Sequence, residues 1–381
     1  MAQQFLAMTL KASPLANLLL ARGADGVWAD YDPQPPWSPT YLNEATGSWG
    51  AVWGAPDSKT ILCTRSHLEG VYHYDGTNWG LETLPDIGTA PSMSAATSIG
   101  KLAGDGATRI WLAAGNGLWY WDGATWARDL QWHTEAPSSV VIKDIWVSNS
   151  GTLWITNSIS GSFDPHEIRS RDSGGVWTNH TADIAALNPG ANYGYGVHGT
   201  SDSDVWCGGG LDASGGSGGK GMLAHWNGLT WTLATNFGSG FGQMMYKLWT
   251  NTTNFVMGHK STAYAVAWNG SVPGGSRTDY ALDISGSARD AANDIFGIAN
   301  DDIVIAGTWS PTGASIWHWD GAAWTKQTTL DQIYDWYQLG AVLVPQLLTN
   351  GSFEIQGTTK GSADAWTAVR TTRNGIGRFG G

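Results

Sequence analysis

Charge is scarce in this chain. Only 14% of its 381 residues are Asp, Glu, Lys or Arg, and the net charge is −12. Lys and Arg form no run anywhere in it. A phosphate backbone is gripped by clustered cations, so nucleic acid is not expected as a partner. The same balance argues against docking on anionic lipid. Cysteine is scarcer still, with Cys63 and Cys207 far apart. Disulfide frameworks and zinc sites need more Cys and His at short spacing. Both are read as buried free thiols, and neither a metal nor a cofactor is expected. Long apolar runs are also missing. Residues 1–21 come nearest, but Lys11, Ser13 and Pro14 interrupt them and no basic segment precedes them. Such a stretch is too broken to span a bilayer and makes a poor export signal.

What is abundant is Gly (52 residues) and Trp (24). Much of the Trp comes from a repeated phrase. It reads Tyr74-Asp75-Gly76-Thr77-Asn78-Trp79, Trp121-Asp122-Gly123-Ala124-Thr125-Trp126, Trp226-Asn227-Gly228-Leu229-Thr230-Trp231 and Trp319-Asp320-Gly321-Ala322-Ala323-Trp324. Aligned on Gly76, Gly123, Gly174, Gly228, Gly270 and Gly321, six copies recur roughly fifty residues apart, the signature of a repeat architecture. Four short strands and their turns fill that length, as in one propeller blade.

Asp-Gly and Asn-Gly mark hairpins because the turn needs positive φ. The sixth repeat shows the layout: strands over residues 294–299, 302–307 and 314–319, then a turn and an outer strand over 323–327. The fifth is degenerate, since no Trp follows Trp268-Asn269-Gly270 at the expected place. The third, Ser170-Arg171-Asp172-Ser173-Gly174-Gly175-Val176-Trp177, resembles the Asp-box turn of sialidase-like and other propellers. That resemblance implies a folding device and not a glycosidase reaction.

Residues 43–343 as a whole resemble the Trp-rich β-propellers of bacteria and viruses, whose blades carry an Asp-Val-Trp strand and a His-Trp-Asp-Gly-x-x-Trp hairpin. The expected fold is therefore an all-β propeller of four-stranded antiparallel blades. Gly26 stands 50 residues before Gly76, so residues 18–29 read as the third and fourth strands of a further blade. Residues 334–343 read as its inner strand. We expect seven blades, with a ring closed by strands from both ends, and six as the alternative. The organisation is residues 1–42 as an N-terminal segment, 43–343 as the propeller and 344–381 as an extension. The extension opens Leu347-Leu348-Thr349-Asn350-Gly351-Ser352-Phe353-Glu354, which resembles the start of a carbohydrate-binding jelly roll of the kind appended to phage proteins. It is too short to complete an eight-stranded sandwich.

Catalytic chemistry is hard to find. His73, His225 and His318 hold equivalent places in three blades, too far apart for one metal. The turn acids Asp75, Asp122 and Asp320 recur with the fold and serve the turn. Arg65, Arg109, Arg169, Arg171 and Arg289 form no visible cluster, and no nucleophile elbow or P-loop occurs. Residues 214–220, Ser-Gly-Gly-Ser-Gly-Gly-Lys, lack the strand–loop–helix context of a phosphate loop and read as a flexible hairpin connection.

Four aromatics lie outside the repeat register: Trp37, Trp132, Tyr193 and Trp309. They are the ligand-binding candidates, set against a plainer role sealing gaps between blades. The expected function is a non-enzymatic structural or adhesive component of a bacteriophage virion, in tail, fibre or head decoration. Its partners would be other virion proteins, surface glycans or both, within an oligomeric assembly. The alternatives are a soluble or extracellular tectonin-like lectin and, further off, a glycosidase acting on polysaccharide.

Overall fold

The computed structural model describes residues 2–12, 15–22, 28–30, 51–55, 61–64, 70–85, 101–159, 167–187, 196–210, 220–239, 245–282, 292–307, 315–327, 333–344, 371–372 and 375–376, less 107, 115–116, 136–139, 253 and 261–263.

The chain opens with β1 (Ala2–Ala12), β2 (Leu15–Arg22) and β3 (Trp28–Asp30). Six consecutive groups of four strands follow. The first is β4 (Ala51–Gly54), β5 (Ile61–Thr64), β6 (Val71–Tyr74) and β7 (Trp79–Glu82). The second is β8 (Lys101–Gly106), β9 (Arg109–Ala114), β10 (Gly117–Trp121) and β11 (Trp126–Arg128), trailed by the short helix α1 (Leu130–Glu135). The third is β12 (Val140–Val147), β13 (Leu153–Ile159), β14 (Glu167–Arg171) and β15 (Trp177–Asn179), trailed by α2 (Thr181–Leu187). The fourth is β16 (Gly196–Ser201), β17 (Asp204–Gly210), β18 (Lys220–Trp226) and β19 (Trp231–Ser239). The fifth is β20 (Met245–Thr252), β21 (Phe255–Lys260), β22 (Tyr264–Asn269) and β23 (Ser276–Ala281). The sixth is β24 (Ala292–Ala299), β25 (Asp302–Gly307), β26 (Ser315–Trp319) and β27 (Trp324–Gln327), followed by β28 (Ile333–Val344). A two-residue hairpin, β29 (Thr371–Thr372) with β30 (Gly375–Ile376), lies in the extension.

Each group of four is one antiparallel sheet in sequence order. A seventh sheet runs β28-β1-β2-β3, so its inner strand comes from the C-terminal side and the other three from the N-terminal side. The first strands of the blades touch in succession, and β28 stands between β24 and β4, which completes the ring. The expected β-propeller, closed by strands from both ends, is what the chain forms. The stretch that looks broken in sequence contains β1 and β2, which pair antiparallel, Leu6 with Ala21 and Ala12 with Leu15.

The repeated phrase is the hairpin between third and fourth strands. Trp121 pairs with Trp126, Trp226 with Trp231, Trp319 with Trp324 and Tyr74 with Trp79. Each ring pair sits with centroids 5.1–5.7 Å apart, within contact range for aromatics. In the Asp-box turn the positive φ falls on Gly175 (+92°) and not on Gly174, because that turn is one residue longer. The degenerate fifth turn runs from Gly270 to Gly275, and Arg277 takes the place opposite Trp268 that Trp holds elsewhere. Between blades lie the cores, such as Ile168, Val205, Cys207 and Met222 between the third and fourth. Among the described residues no helix is long and apolar enough to cross a membrane.

Antiparallel alternation gives the disc two unlike faces. Connections from first to second and from third to fourth strands emerge on one, here called the turn face. Those from second to third strands and from each blade to the next emerge on the other, the loop face. Turn-face connections are short and mutually hooked: the Trp226 indole N–H donates to the Asp202 carbonyl (3.1 Å) and the Trp319 indole N–H to the Asn300 carbonyl (3.0 Å). Loop-face connections vary in length, from residues 115–116 to 211–219 among second-to-third links.

Candidate functional site

The acids of the repeat are occupied by the fold. Asp75 Oδ1 accepts the amides of Thr77 (2.7 Å) and Asn78 (2.8 Å), Asp122 those of Ala124 and Thr125, and Asp320 those of Ala322 and Ala323. These bonds hold all three carboxyls below the usual carboxylate range, the Asn78, Thr125 and Ala323 amides contributing most in turn. Asp172 of the Asp-box likewise accepts the Val176 amide at 2.8 Å. The three equivalent histidines each take a separate carboxylate: His225 with Asp204 (2.6 Å), His318 with Asp302 (2.6 Å) and His73 with Glu82 (3.4 Å). Arg109, Arg169 and Arg171 are paired with Asp105, Glu167 and Asp129. Arg65 and Arg289 lie outside the described residues. Among the described residues no three His, Cys, Asp or Glu side chains gather to hold a metal ion.

Of the four off-register aromatics, one is placed. Trp132 sits in α1, whose first turn is capped by Asp129 Oδ1 accepting the Trp132 amide at 2.7 Å. Its ring is fully buried against Trp177, centroids 5.1 Å apart, with the Arg169 guanidinium 5.9 Å from it. Trp132 therefore seals the gap between second and third blades and offers no face to a ligand, which corrects its candidacy. The helix folds it inward because the cap fixes the chain's direction where β11 ends. Trp37, Tyr193 and Trp309 lie outside the described residues, as do residues 211–219 of the glycine-rich stretch. All belong to segments whose flanking strands end on the loop face.

Between the faces runs the channel, lined by first strands. Lys101, Asp144, Lys247 and Asp294 occupy one register position on β8, β12, β20 and β24, paired opposite Ala113, Thr156, His259 and Ala306. Ala51 and Gly196 hold the same position on β4 and β16. Lys101 is ion-paired with Asp144 on the next blade and stands 3.6 Å from Asp294 across the ring. Lys247 Nζ stands 3.2 Å from the same Asp144 oxygen. The other Asp144 oxygen accepts the Val197 amide at 3.1 Å. The carboxylates are deeply buried, at 2% and 6% side-chain exposure, and the ammoniums less so, at 21% and 15%.

Electrostatics follow from that crowding. Burial alone would raise Asp144, but Lys101 and Lys247 together hold it below its usual range. Burial would strip Lys101 of its proton, yet Asp144 and then Asp294 outweigh it and raise the amine above the ordinary lysine value. Lys247 is pushed down to about 8, by burial first and by the Lys101 charge, with Asp144 only partly opposing. Two positions further along, toward the turn face, comes an aromatic layer. Its rings are Trp53, Trp146, His198, Trp249 and Phe296, with Ala103 in the second blade. His198 lies 5.7 Å from Trp146 and 6.4 Å from Trp249, ring to ring. Burial holds it down to about 3, so it is neutral at physiological pH.

Sequence reasoning missed this quartet. The available signal was weak but real: Asp144-Ile145-Trp146, Lys247-Leu248-Trp249 and Asp294-Ile295-Phe296 each set a charge at the head of an apolar first strand. Charges in so apolar a context are buried only when paired.

No family model matches the chain, and no curated protein does. Among solved structures, YCF48 bound to D1 peptide is 13% identical with a TM-score of 0.51, over 79% of this chain and 85% of that one. SapL1 lectin in complex with alpha methyl fucoside is 15% identical with a TM-score of 0.46, over 75% and 96%. The six-bladed propeller lectin of Aleuria aurantia is 14% identical with a TM-score of 0.45, over 76% and 96%. The likeness to YCF48 is one of fold.

Proposed function

We propose that the chain is a non-catalytic binding propeller that presents its loop face to surface glycans. The observation that carries this reading is the division of the disc. Turn-face links stay within six residues and are hooked together, whereas the links on the loop face range more widely in length and the strands that flank Trp37, Tyr193 and Trp309 end there. Function concentrates in loops set on a rigid scaffold, and Trp or Tyr rings stack on the apolar faces of sugars. The commitment of the described turn acids and histidines to the fold supports binding over glycosidic chemistry.

A glycan array that includes α-methyl fucoside, the ligand of the SapL1 lectin structure, tests it. Saturable binding is expected. Replacement of Trp37, Tyr193 or Trp309 by Ala should weaken it by about 2 kcal/mol where the ring is an anchor. A flat response across a broad array would sink the reading.

Placement in a bacteriophage particle is the second reading. It rests on residues 347–354 and on the exit of the chain after Val344 from the turn face, opposite the loops. A module held at one face and presenting the other has this geometry. Mass spectrometry of purified particles should detect the protein, and its presence only free in host lysate would count decisively against the placement.

A further inference from the structure

Among the described residues, the outermost strand of each blade pairs with no strand on its outer side. Such an edge is a template for another chain, and folds blunt it by keeping it short, bulged or covered. β3, β7, β11, β15 and β27 keep three or four residues each. β19 is longer, but its pairing with β18 slips twice and α2 lies against it. β23 differs from all of these. It runs Ser276-Arg277-Thr278-Asp279-Tyr280-Ala281 and pairs with β22 without a shift, from Ser276 opposite Asn269 to Ala281 opposite Tyr264. No proline or glycine interrupts it, and Ser276, Thr278, Asp279 and Ala281 are exposed. It belongs to the fifth blade, where the repeated hairpin loses its second Trp and Arg277 stands opposite Trp268.

The charges of β23 decide what can pair there. Arg277 and Asp279 are two residues apart and so share one face of the strand. Arg277 Nε donates to Asp279 Oδ1 at 2.6 Å. Opposite charges at that spacing are self-complementary under an antiparallel two-fold axis through Thr278. The operation sets Arg277 against the partner's Asp279, and Asp279 against the partner's Arg277. Parallel pairing in register would set Arg277 beside the partner's Arg277, and like charges directly opposite destabilise a sheet. Alternate residues of an edge strand also turn both N–H and C=O outward, and a second copy of the same strand satisfies them.

We propose that β23 is a dimerisation edge whose occupant is β23 of a second copy of this chain, paired antiparallel so that two fifth blades form one continuous sheet. The strand runs from the turn face to the loop face, so the antiparallel partner runs the other way. The two discs lie edge to edge with their loop faces pointing in opposite directions. On the glycan reading above, such a dimer bridges two glycan-bearing surfaces, whereas the pairing itself does not depend on that reading. So short an edge makes a small interface, and the dimer is of the weak kind that forms as concentration rises.

Sedimentation velocity of the full chain across the micromolar range tests the pairing, with urea transitions to show that each variant folds. Wild type should pass from monomer to dimer as concentration rises. Asp279→Arg sets arginine against arginine, and Arg277→Asp sets aspartate against aspartate. Each should raise the dissociation constant roughly tenfold. Mixed in equal amounts, the two variants should recover the dimer, since each supplies the charge the other lacks. The double reversal Arg277→Asp/Asp279→Arg keeps the ion pair within the strand and so covers the case in which a single variant fails to fold. It should dimerise with itself and refuse wild type, which native mass spectrometry reads when one of the two chains is isotope-labelled. A wild type that stays monomeric, a dimer indifferent to Asp279→Arg, or free mixing of wild type with the double reversal overturns the proposal. A dimer with this charge dependence that binds no glycan keeps the pairing and overturns the glycan reading.

Discussion

His198 is the most strongly displaced histidine of the channel. It sits between Trp146 and Trp249, and its Nδ1 accepts the Thr250 amide at 3.3 Å, which fixes it as an acceptor and disfavours the charged form. Burial sets its value near 3, with Lys101 adding to the effect and Asp144 opposing it. In the unfolded chain a histidine titrates near 6.5. Between those values the unfolded chain binds a proton that the folded chain refuses. Stability from this residue is therefore complete above pH 6.5 and drains away as pH falls. By pH 5 the loss should reach about 2 kcal/mol. Asp144, held below 3.8, acts in a separate and lower window, where acid unpairs it from its lysines. Lys247, at about 8, gives the opposite end of the profile: its contribution grows as pH rises from there toward the unfolded lysine value. Urea unfolding of wild type and His198→Gln at pH 7.5 and 5 checks the central window. The wild type should lose more stability on acidification than the variant, by the amount given, and identical losses would show that His198 contributes nothing. None of this was legible in sequence. A histidine in Gly196-Val197-His198-Gly199 gives no hint that two tryptophans from neighbouring blades enclose it.

At the level of strands, neighbouring blades fit by large against small. Trp53, Trp146 and Trp249, on the first strands of the first, third and fifth blades, lie over Gly104, Gly199 and Gly297 on the blades that follow. A Cβ added to those glycines would stand 2.9, 2.9 and 2.6 Å from the respective indoles. The requirement is close approach and not a special backbone angle. Gly297→Ala should therefore destabilise by about 1–3 kcal/mol through overpacking. Trp249→Phe in the same chain should recover part of that loss, since the two positions share one contact. A double-mutant cycle in urea measures it, and a neutral Gly297→Ala would mean that the indole simply moves aside. The hairpins were readable because an Asp-Gly turn writes its geometry in four adjacent residues. The Trp-on-Gly fit was not, because its halves lie roughly fifty residues apart on different blades. Trp132 misled for a related reason: leaving the repeat register says nothing of burial when a short helix turns the ring inward.

At the scale of the ring, everything depends on one non-local pairing. β28 and β1 run antiparallel from Ala2 with Val344 to Lys11 with Ile333. Two parts of this blade were visible in sequence, residues 18–29 as its third and fourth strands and residues 334–343 as its inner strand, while its second strand, β1, was not read. That is why closure was predictable while the contents of the channel were not. Arg22 at the end of β2 adds a link to Asp302 on the sixth blade, 3.4 Å apart and shared with His318. The two ends of the chain thus meet in one sheet between the first and sixth blades, and β28 also walls the channel beside β24 and β4. Removing β28 exposes the inner edge of β1 and parts the ring of first strands. A chain ending at Gln332 should then lose most of the ~5–15 kcal/mol typical of a folded domain, with a broad, non-cooperative transition. A chain ending at Val344 keeps every strand of the seven sheets and should unfold as sharply as the full chain. A synthetic strand of residues 333–344 supplied to the shorter chain should restore cooperativity by strand addition. Tryptophan fluorescence in urea reads all three. If the chain ending at Gln332 unfolded with an unchanged midpoint, the six sequence-continuous blades would be stable as an open array, and closure would serve only to bring the two ends together.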